Sequence, residues 1–273
     1  MKIYFHSIFF LFVSVINLNA QASAKRAEAL KLMKEGELAK AIVEADAAVK
    51  QDEGDAENWF ARGLVRLESN NSAGAFEDFI KAESLKMNSV DLLLNKGMAL
   101  NNLGKHKEAI EELVKAEKLD AKNYEIPYNK VLAFSELEDK KNVKIELNKT
   151  IALKPDFIEA LTMRAEISFE NEDFKLCISD CDKIIGLNPN SADAYYFRGI
   201  AKGATKNNTE AIADFNKALE LNPKHDDALN YRGTAKFVSG NKKGACADWE
   251  KAMKLENPKA EENYNTYCVA QEE

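Results

Sequence analysis

Histidine, cysteine and clusters of basic residues are scarce in this sequence, and each shortage argues against a class of function. The 273 residues include three histidines and four cysteines, with no paired spacing typical of a zinc site. No nucleophile and base stand together in a catalytic pattern, so we expect no catalytic residues, no metal and no cofactor. The formal net charge is -7, and an acidic chain without basic clusters binds nucleic acid or anionic membranes poorly.

Glycine and proline are also infrequent, with 12 and five residues respectively. Most of them fall at expected turns or helix contacts. No low-complexity linker and no change of composition interrupts the chain after Gln21. The sequence therefore predicts one helical domain over residues 21–273.

Long apolar runs are absent after Ala20, whereas the segment that precedes Gln21 is mostly apolar. Lys2 gives this segment a positive start, residues 8–16 are almost wholly apolar, and Ala20 is a small residue before Gln21. The pattern predicts a signal peptide over residues 1–20, and hence export to the periplasm or secretion. The alternative is a transmembrane anchor, but a span needs about 20 apolar residues and this run is shorter. We expect no membrane span after removal of the signal peptide.

A 34-residue pattern recurs without insertion or deletion from Ala22 onward. Position 8 of each repeat is usually glycine or alanine, position 20 is usually alanine, position 24 is mostly large and apolar, and position 30 is leucine in repeats two to seven. The clearest repeat, residues 192–225, reads as two amphipathic helices over residues 194–204 and 209–221. Asn222 and Pro223 follow, and proline cannot continue the second helix.

This spacing resembles that of the tetratricopeptide repeat (TPR) family. The resemblance implies an all-α fold, an α-solenoid of seven helix-turn-helix units with a C-terminal capping helix, and a function in binding proteins or peptides. The expected repeats cover residues 22–55, 56–89, 90–123, 124–157, 158–191, 192–225 and 226–259, with the capping helix over 260–273.

Two charge patterns follow the repeat. Position 7 is basic and position 23 is acidic in repeats two to seven, and both lie equally far from the turn of a helical hairpin. We therefore predict an ion pair between them in each of these repeats. Position 2 is acidic from repeat two onward, which suits either the positive end of the helix dipole or, alternatively, an acidic surface for a ligand.

The resemblance also implies a groove lined by positions 2, 5, 9 and 12 of the first helices. Chaperone-binding members of the family hold a terminal carboxylate there with a lysine–asparagine pair, which this chain lacks. Its residues are mainly apolar and aromatic, beside an acidic edge. The candidate ligand-binding residues are Phe60, Tyr128, Leu132, Phe169, Tyr196, Ile200 and Phe237. The alternative is that these side chains pack between successive first helices.

The four cysteines form two pairs of different character. Cys177 and Cys181 lie one helical turn apart at core positions, where cysteine acts as a small apolar residue, although the two could share a soft metal. Cys246 and Cys268 are equally far along the sequence from Asn257, near which the chain should turn. Two antiparallel helices would bring them together, so we predict a disulfide in an oxidising compartment, against the alternative of two reduced thiols in contact.

Two functions fit these observations. The first is an exported scaffold that binds a protein or peptide in its concave groove. The second is an accessory or regulatory subunit of an envelope enzyme or assembly machine, which would use its convex surface or its edges.

Overall fold

The computed structural model describes residues 19–269, and this part of the chain contains helices and turns but no strand. The predicted signal peptide lies almost entirely outside the described residues, as do residues 270–273 of the predicted capping helix. The helices are α1 (residues 19–34), α2 (Leu38–Gln51), α3 (Ala56–Glu68), α4 (Ser72–Ser84), α5 (Val90–Asn102), α6 (His106–Leu119), α7 (Glu125–Glu136), α8 (Lys140–Leu153), α9 (Ile158–Glu170), α10 (Phe174–Leu187), α11 (Ala192–Ala204), α12 (Asn208–Leu221), α13 (Asp226–Val238), α14 (Lys242–Met253) and α15 (Pro258–Tyr264). A π-helical turn follows over Asn265–Val269.

The described chain divides after Lys149, near the end of α8, into two compact units. The first unit covers residues 19–149 and the second residues 150–269. In each unit a repeat is a helical hairpin whose second helix packs against the first helix of the next repeat, as α4 does against α5 and α12 against α13. Both units are therefore all-α solenoid segments, as the sequence predicted.

Helix ends agree closely with the predicted repeat boundaries. Five first helices begin at the predicted repeat starts, and α7 begins one residue later because Tyr124 is its N-cap. Side-chain caps satisfy free backbone N–H groups at several of these ends, as Ser191 does by accepting a hydrogen bond from the N–H of Ala194. The last helix begins at Pro258, two residues before the predicted start, since Asn257 caps it and proline suits a first turn.

Glycine at position 8 allows the two helices of a hairpin to approach closely. A Cβ atom on Gly63 would lie 2.4 Å from the ring of Phe79, and one on Gly199 would lie 2.7 Å from the ring of Phe215. A Cβ atom on Gly233 would meet Trp249 at 2.7 Å. The aromatic residue at position 24 therefore requires glycine at position 8.

Position 15 has a positive φ in all seven repeats, because the turn between the two helices needs a left-handed residue there. Glycine and asparagine tolerate this conformation, but three repeats place glutamate or lysine in it, at a cost of roughly 1–2 kcal/mol each. The seven residues are Gly36, Asn70, Gly104, Glu138, Glu172, Lys206 and Gly240.

The predicted ion pairs between positions 7 and 23 are confirmed in all six repeats. In the arginine repeats two guanidinium nitrogens donate to one carboxylate, and in repeats three and four a lysine Nζ approaches a glutamate. The pairs are Arg62–Asp78 (2.7 Å), Lys96–Glu112 (3.2 Å), Lys130–Glu146 (3.8 Å), Arg164–Asp180 (2.7 Å), Arg198–Asp214 (2.5 Å) and Arg232–Asp248 (2.6 Å).

Several of these cations also reach the preceding repeat, so each joins two hairpins. Arginine contacts position 25 of that repeat, whereas lysine contacts position 28. The arginine contacts are Arg62–Asp46 (2.9 Å), Arg198–Asp182 (2.7 Å) and Arg232–Asn216 (2.8 Å). The lysine contacts are Lys96–Glu83 (2.7 Å) and Lys130–Glu117.

Candidate functional site: an apolar groove in the second unit

An apolar groove of about 500 Å³ lies within the second unit, among repeats five, six and seven. Its walls come from the turn-proximal ends of α9, α11 and α13 and from parts of α10 and α12. The large apolar residues that line it are Phe169, Phe174, Ile200, Phe215, Tyr231 and Val238. A groove of this size is within the range of ligand sites in proteins.

The groove has a buried floor and an exposed lip. Ile200 and Phe215 are 5% and 1% exposed and form part of the core, whereas Val238 is 66% exposed. Phe169 is half-buried, and its ring centroid lies 5.9 Å from that of Phe174 across the turn between α9 and α10. The rings of Phe215 and Tyr231 stack at 6.4 Å. Apolar surface therefore continues from the core to the solvent.

The candidate residues of the second unit separate into two groups. Phe169 and Ile200 line the groove together. Tyr196 lies among packed rings, with centroids 4.6 Å from His225 and 6.0 Å from Tyr231. Burial raises the pKa of the Tyr196 phenol, and the nearby carboxylates of Asp227, Asp226 and Asp193 add to the shift.

Phe237 lies under the capping helix instead of on the groove wall. Its ring centroid is 4.6 Å from Tyr267 and 5.6 Å from Trp249. The alternative interpretation of the aromatic residues, packing between helices, therefore describes Phe237.

The candidate residues of the first unit lie on its first helices. Phe60 is half-buried and contacts Phe79, with a centroid separation of 5.8 Å. Tyr128 is half-buried on α7, and Leu132 on the same helix is 38% exposed. Leu132 thus has an accessible side chain at position 9.

Four large lining residues escaped the sequence prediction because they lie outside the positions that the resemblance implies, and one of them is Phe215 at position 24 of repeat six. Phe174 is at position 17, in the second helix of repeat five. Tyr231 and Val238 are at positions 6 and 13 of repeat seven. The groove extends to the second helices and to positions 6 and 13 of a first helix, which the pattern of positions 2, 5, 9 and 12 does not include.

Carboxylates lie along one side of the groove. Glu170 and Glu172 line it, and Lys206 is the single lysine or arginine among the described lining residues. Glu166 precedes Glu170 by one turn of α9 and is half-buried. Burial raises the pKa of the Glu166 carboxyl, and the negative charges of Asp193 and Glu170 raise it further. Carboxylates therefore outnumber cations among the described lining residues.

The cysteines occupy two different environments. Cys177 and Cys181 are fully buried in a cluster with Ala165 and Ala201, as expected of core residues. The structure joins Cys246 on α14 to Cys268 in the π-helical turn, with Cα atoms 5.8 Å apart. The geometry thus brings together the pair that the sequence predicted, and formation of the bond in the cell stays a prediction.

Comparison with known proteins agrees with the repeat pattern. Family models described as tetratricopeptide repeat match residues 90–123 and 192–225. The human PEX5-related protein is 33% identical over 82 residues, a stretch that covers 30% of this chain and 13% of that protein. Its mouse counterpart is 32% identical over 82 residues, again 30% of this chain and 14% of that protein. The chain thus spans about an eighth of the length of these curated relatives.

Solved structures show the same fold. The C-terminal part of a TPR repeat-containing protein from Cytophaga hutchinsonii has a TM-score of 0.71 and 18% identity, and the likeness covers 87% of this chain and 98% of that one. PilF from Pseudomonas aeruginosa has a TM-score of 0.66 and 16% identity, over 76% of this chain and 94% of that one. At these identities the likeness concerns the fold alone.

Together with the unbroken 34-residue register, these matches show that the chain contains tetratricopeptide repeats. Tetratricopeptide repeats typically form non-catalytic scaffolds for protein–protein interaction. Within residues 19–269, every helix is too short or too polar to cross a membrane.

Proposed function

We propose that this protein is an exported scaffold that binds a segment of a partner protein in the groove of its second unit. The observation that carries the proposal is the groove itself, in which Phe169, Ile200 and Tyr231 present apolar surface on three successive first helices. Exposed apolar surface of this kind often marks an interaction site. Burying it against a partner would remove that surface from water.

Export is supported by the composition of the N-terminal segment before Gln21 and by the placement of Cys246 and Cys268. Disulfides persist in oxidising compartments, where closing this loop would stabilise the fold by about 3 kcal/mol in the chain-entropy model. Peptide mapping of protein from its native source, without reductant, tests this part of the proposal. Recovery of Cys246 and Cys268 as free thiols, or of an uncleaved N-terminus, would contradict it.

A second candidate function is supported by the second helices of the first unit. Their outward positions hold exposed branched residues, namely Val43 (62%), Ile80 (42%), Val114 (37%) and Ile145 (42%). An accessory subunit of an envelope enzyme or assembly machine could dock through this surface.

Photo-crosslinking in the native cells distinguishes the two functions. A benzophenone amino acid replaces Val238, which is exposed at the groove, or Val43, which is similarly exposed on a second helix. We expect a specific adduct from position 238 and none from position 43. Adducts from position 43 alone would favour docking through the second helices and would reject the groove.

A further inference from the structure

Glu166 is a half-buried carboxylate of the second unit that has no cation paired with it among the described residues. The acids at position 23, such as Asp214 and Asp248, each accept from an arginine and from a lysine. Among the described residues, Glu166 has no hydrogen bond or salt bridge from its side chain, and its neighbours Asp193 and Glu170 are also negative. A carboxylate that loses water without gaining a partner is unfavourable.

The location of Glu166 relates it to the groove. It occupies position 9 of repeat five, which corresponds to Ile200 in repeat six and Thr234 in repeat seven, and both of these line the groove. Glu170 lies four residues later, so both carboxylates project from one face of α9 beside Phe169. The groove therefore joins an apolar floor to an acidic edge.

We propose that the groove selects a peptide segment in which a lysine or arginine stands next to large apolar side chains. The apolar residues would fill the floor, and the cation would pair with Glu166 and Glu170. An acidic segment would be repelled by the same edge, since like charges brought together at an interface are unfavourable. This proposal rests on the proposed function, because it names the chemistry of the segment that the groove binds.

A random 12-residue peptide display library is the probe, selected on protein purified from cells that express the full-length sequence. Binders are then counter-selected on the Thr234→Trp variant, whose indole would fill the groove without a change of charge. Ala73→Trp, at an exposed position of α4 outside both candidate surfaces, is the matched control. We expect peptides that are lost on Thr234→Trp and kept on Ala73→Trp, and that are enriched in lysine or arginine beside leucine, isoleucine or phenylalanine.

The affinities of the enriched peptides for charge variants of the protein test the role of the two carboxylates. The double substitution Glu166→Gln/Glu170→Gln should lower the affinity for the enriched peptides roughly tenfold, because two partly desolvated ion pairs are lost. Glu77→Gln/Glu111→Gln removes two exposed carboxylates from second helices of the first unit and should change affinity by less than about twofold.

The outcomes separate this inference from the proposed function. Groove-dependent peptides without an excess of lysine and arginine would overturn the inference and leave the groove as a binding site. So would basic peptides whose affinity is unchanged by Glu166→Gln/Glu170→Gln. If no selected peptide is lost on Thr234→Trp, the groove binds no such segment, and both proposals fail.

Discussion

Junctions between repeats in this protein follow two designs, one centred on lysine and one on arginine. In the first unit, Lys96 and Lys130 each contact a glutamate of their own repeat and a glutamate at position 28 of the preceding one. In the second unit, Arg198 and Arg232 each hold an aspartate with two nitrogens and reach position 25 of the preceding repeat with the third. Guanidinium is a planar fork that spans two acceptors, whereas ammonium acts as a compact point charge.

The two designs change positions 7, 25 and 28 together, and the acid at position 23 is aspartate beside arginine and glutamate beside lysine. Before an arginine repeat, position 25 is polar, as in Asp182 and Asn216, and position 28 is apolar, as in Ile185 and Leu219. Before a lysine repeat, position 25 is the apolar Ile80 or Val114, and position 28 is Glu83 or Glu117. Arg62 follows the arginine design although it lies in the first unit, since its partner at position 25 is Asp46. The type of junction therefore follows the residue type at position 7 in both units.

Removal of the carboxylate at position 23 should give the largest difference in stability between the two designs. Asp214 is 4% exposed and accepts from Arg198 and Lys202, so Asp214→Ala leaves two cations without their main partner and should cost about 3 kcal/mol. Glu112→Ala should cost less, roughly 1–2 kcal/mol, because Lys96 keeps Glu83 at 2.7 Å.

Urea titration followed by tryptophan fluorescence measures both variants in the unit that each affects. The sequence has two tryptophans, Trp59 in the first unit and Trp249 in the second, so Trp59→Phe and Trp249→Phe backgrounds isolate the two signals. Equal losses for Asp214→Ala and Glu112→Ala would show that the carboxylates of the two designs contribute alike.

Conversion of one design into the other tests whether the effects of positions 7, 25 and 28 on stability are coupled. Arg198→Lys alone should destabilise the second unit by about 1 kcal/mol, because one ammonium cannot replace a bidentate contact and also reach Asp182. Adding Asp182→Ile and Ile185→Glu supplies the lysine design at positions 25 and 28, with Asp214 kept at position 23, and should recover most of the loss. A triple variant no more stable than Arg198→Lys would refute the coupling, which a mutant cycle measures directly.

The periodicity of the sequence was sufficient to predict features that lie within one repeat. The distance of positions 7 and 23 from the turn predicted all six ion pairs, and the spacing around Asn257 predicted the proximity of Cys246 and Cys268. The small residue that recurs at position 8 likewise lies where the two helices approach closely, as Gly199 does against Phe215. These contacts depend on the local geometry of a single helical hairpin and the turn that follows it.

Features that depend on packing between repeats were not predicted from the sequence. The partners at positions 25 and 28 depend on how neighbouring hairpins are placed. Phe174 and Tyr231 line the groove because helices of three successive repeats pack around it. The left-handed conformation at position 15 was also not predicted where Glu172 or Lys206 occupies that position, since neither residue type favours a positive φ.

Acid should weaken the lysine design in a defined pH range, and this is the smallest of the expected effects. Burial acts to raise the pKa of the Glu117 carboxyl, but hydrogen bonds and charge from Lys130 and Lys149 outweigh it, so the pKa is lowered from 4.5. A lowered pKa means that Glu117 contributes stability above about pH 4.5, and that this contribution is lost as the pH falls through the folded-state value.

The comparison of wild type with Glu117→Gln across pH measures that contribution. Because the Glu117 side chain is 30% exposed, we expect a difference in unfolding free energy of at most about 1 kcal/mol at neutral pH. The difference should be constant down to about pH 5 and then shrink as the carboxyl protonates in both the folded and the unfolded state. Glu77→Gln, which removes an exposed carboxylate from α4, controls for the loss of one negative charge. A difference that grows as the pH falls would mean that the pKa of Glu117 is raised, so that the junction with Lys130 does not hold its charged form.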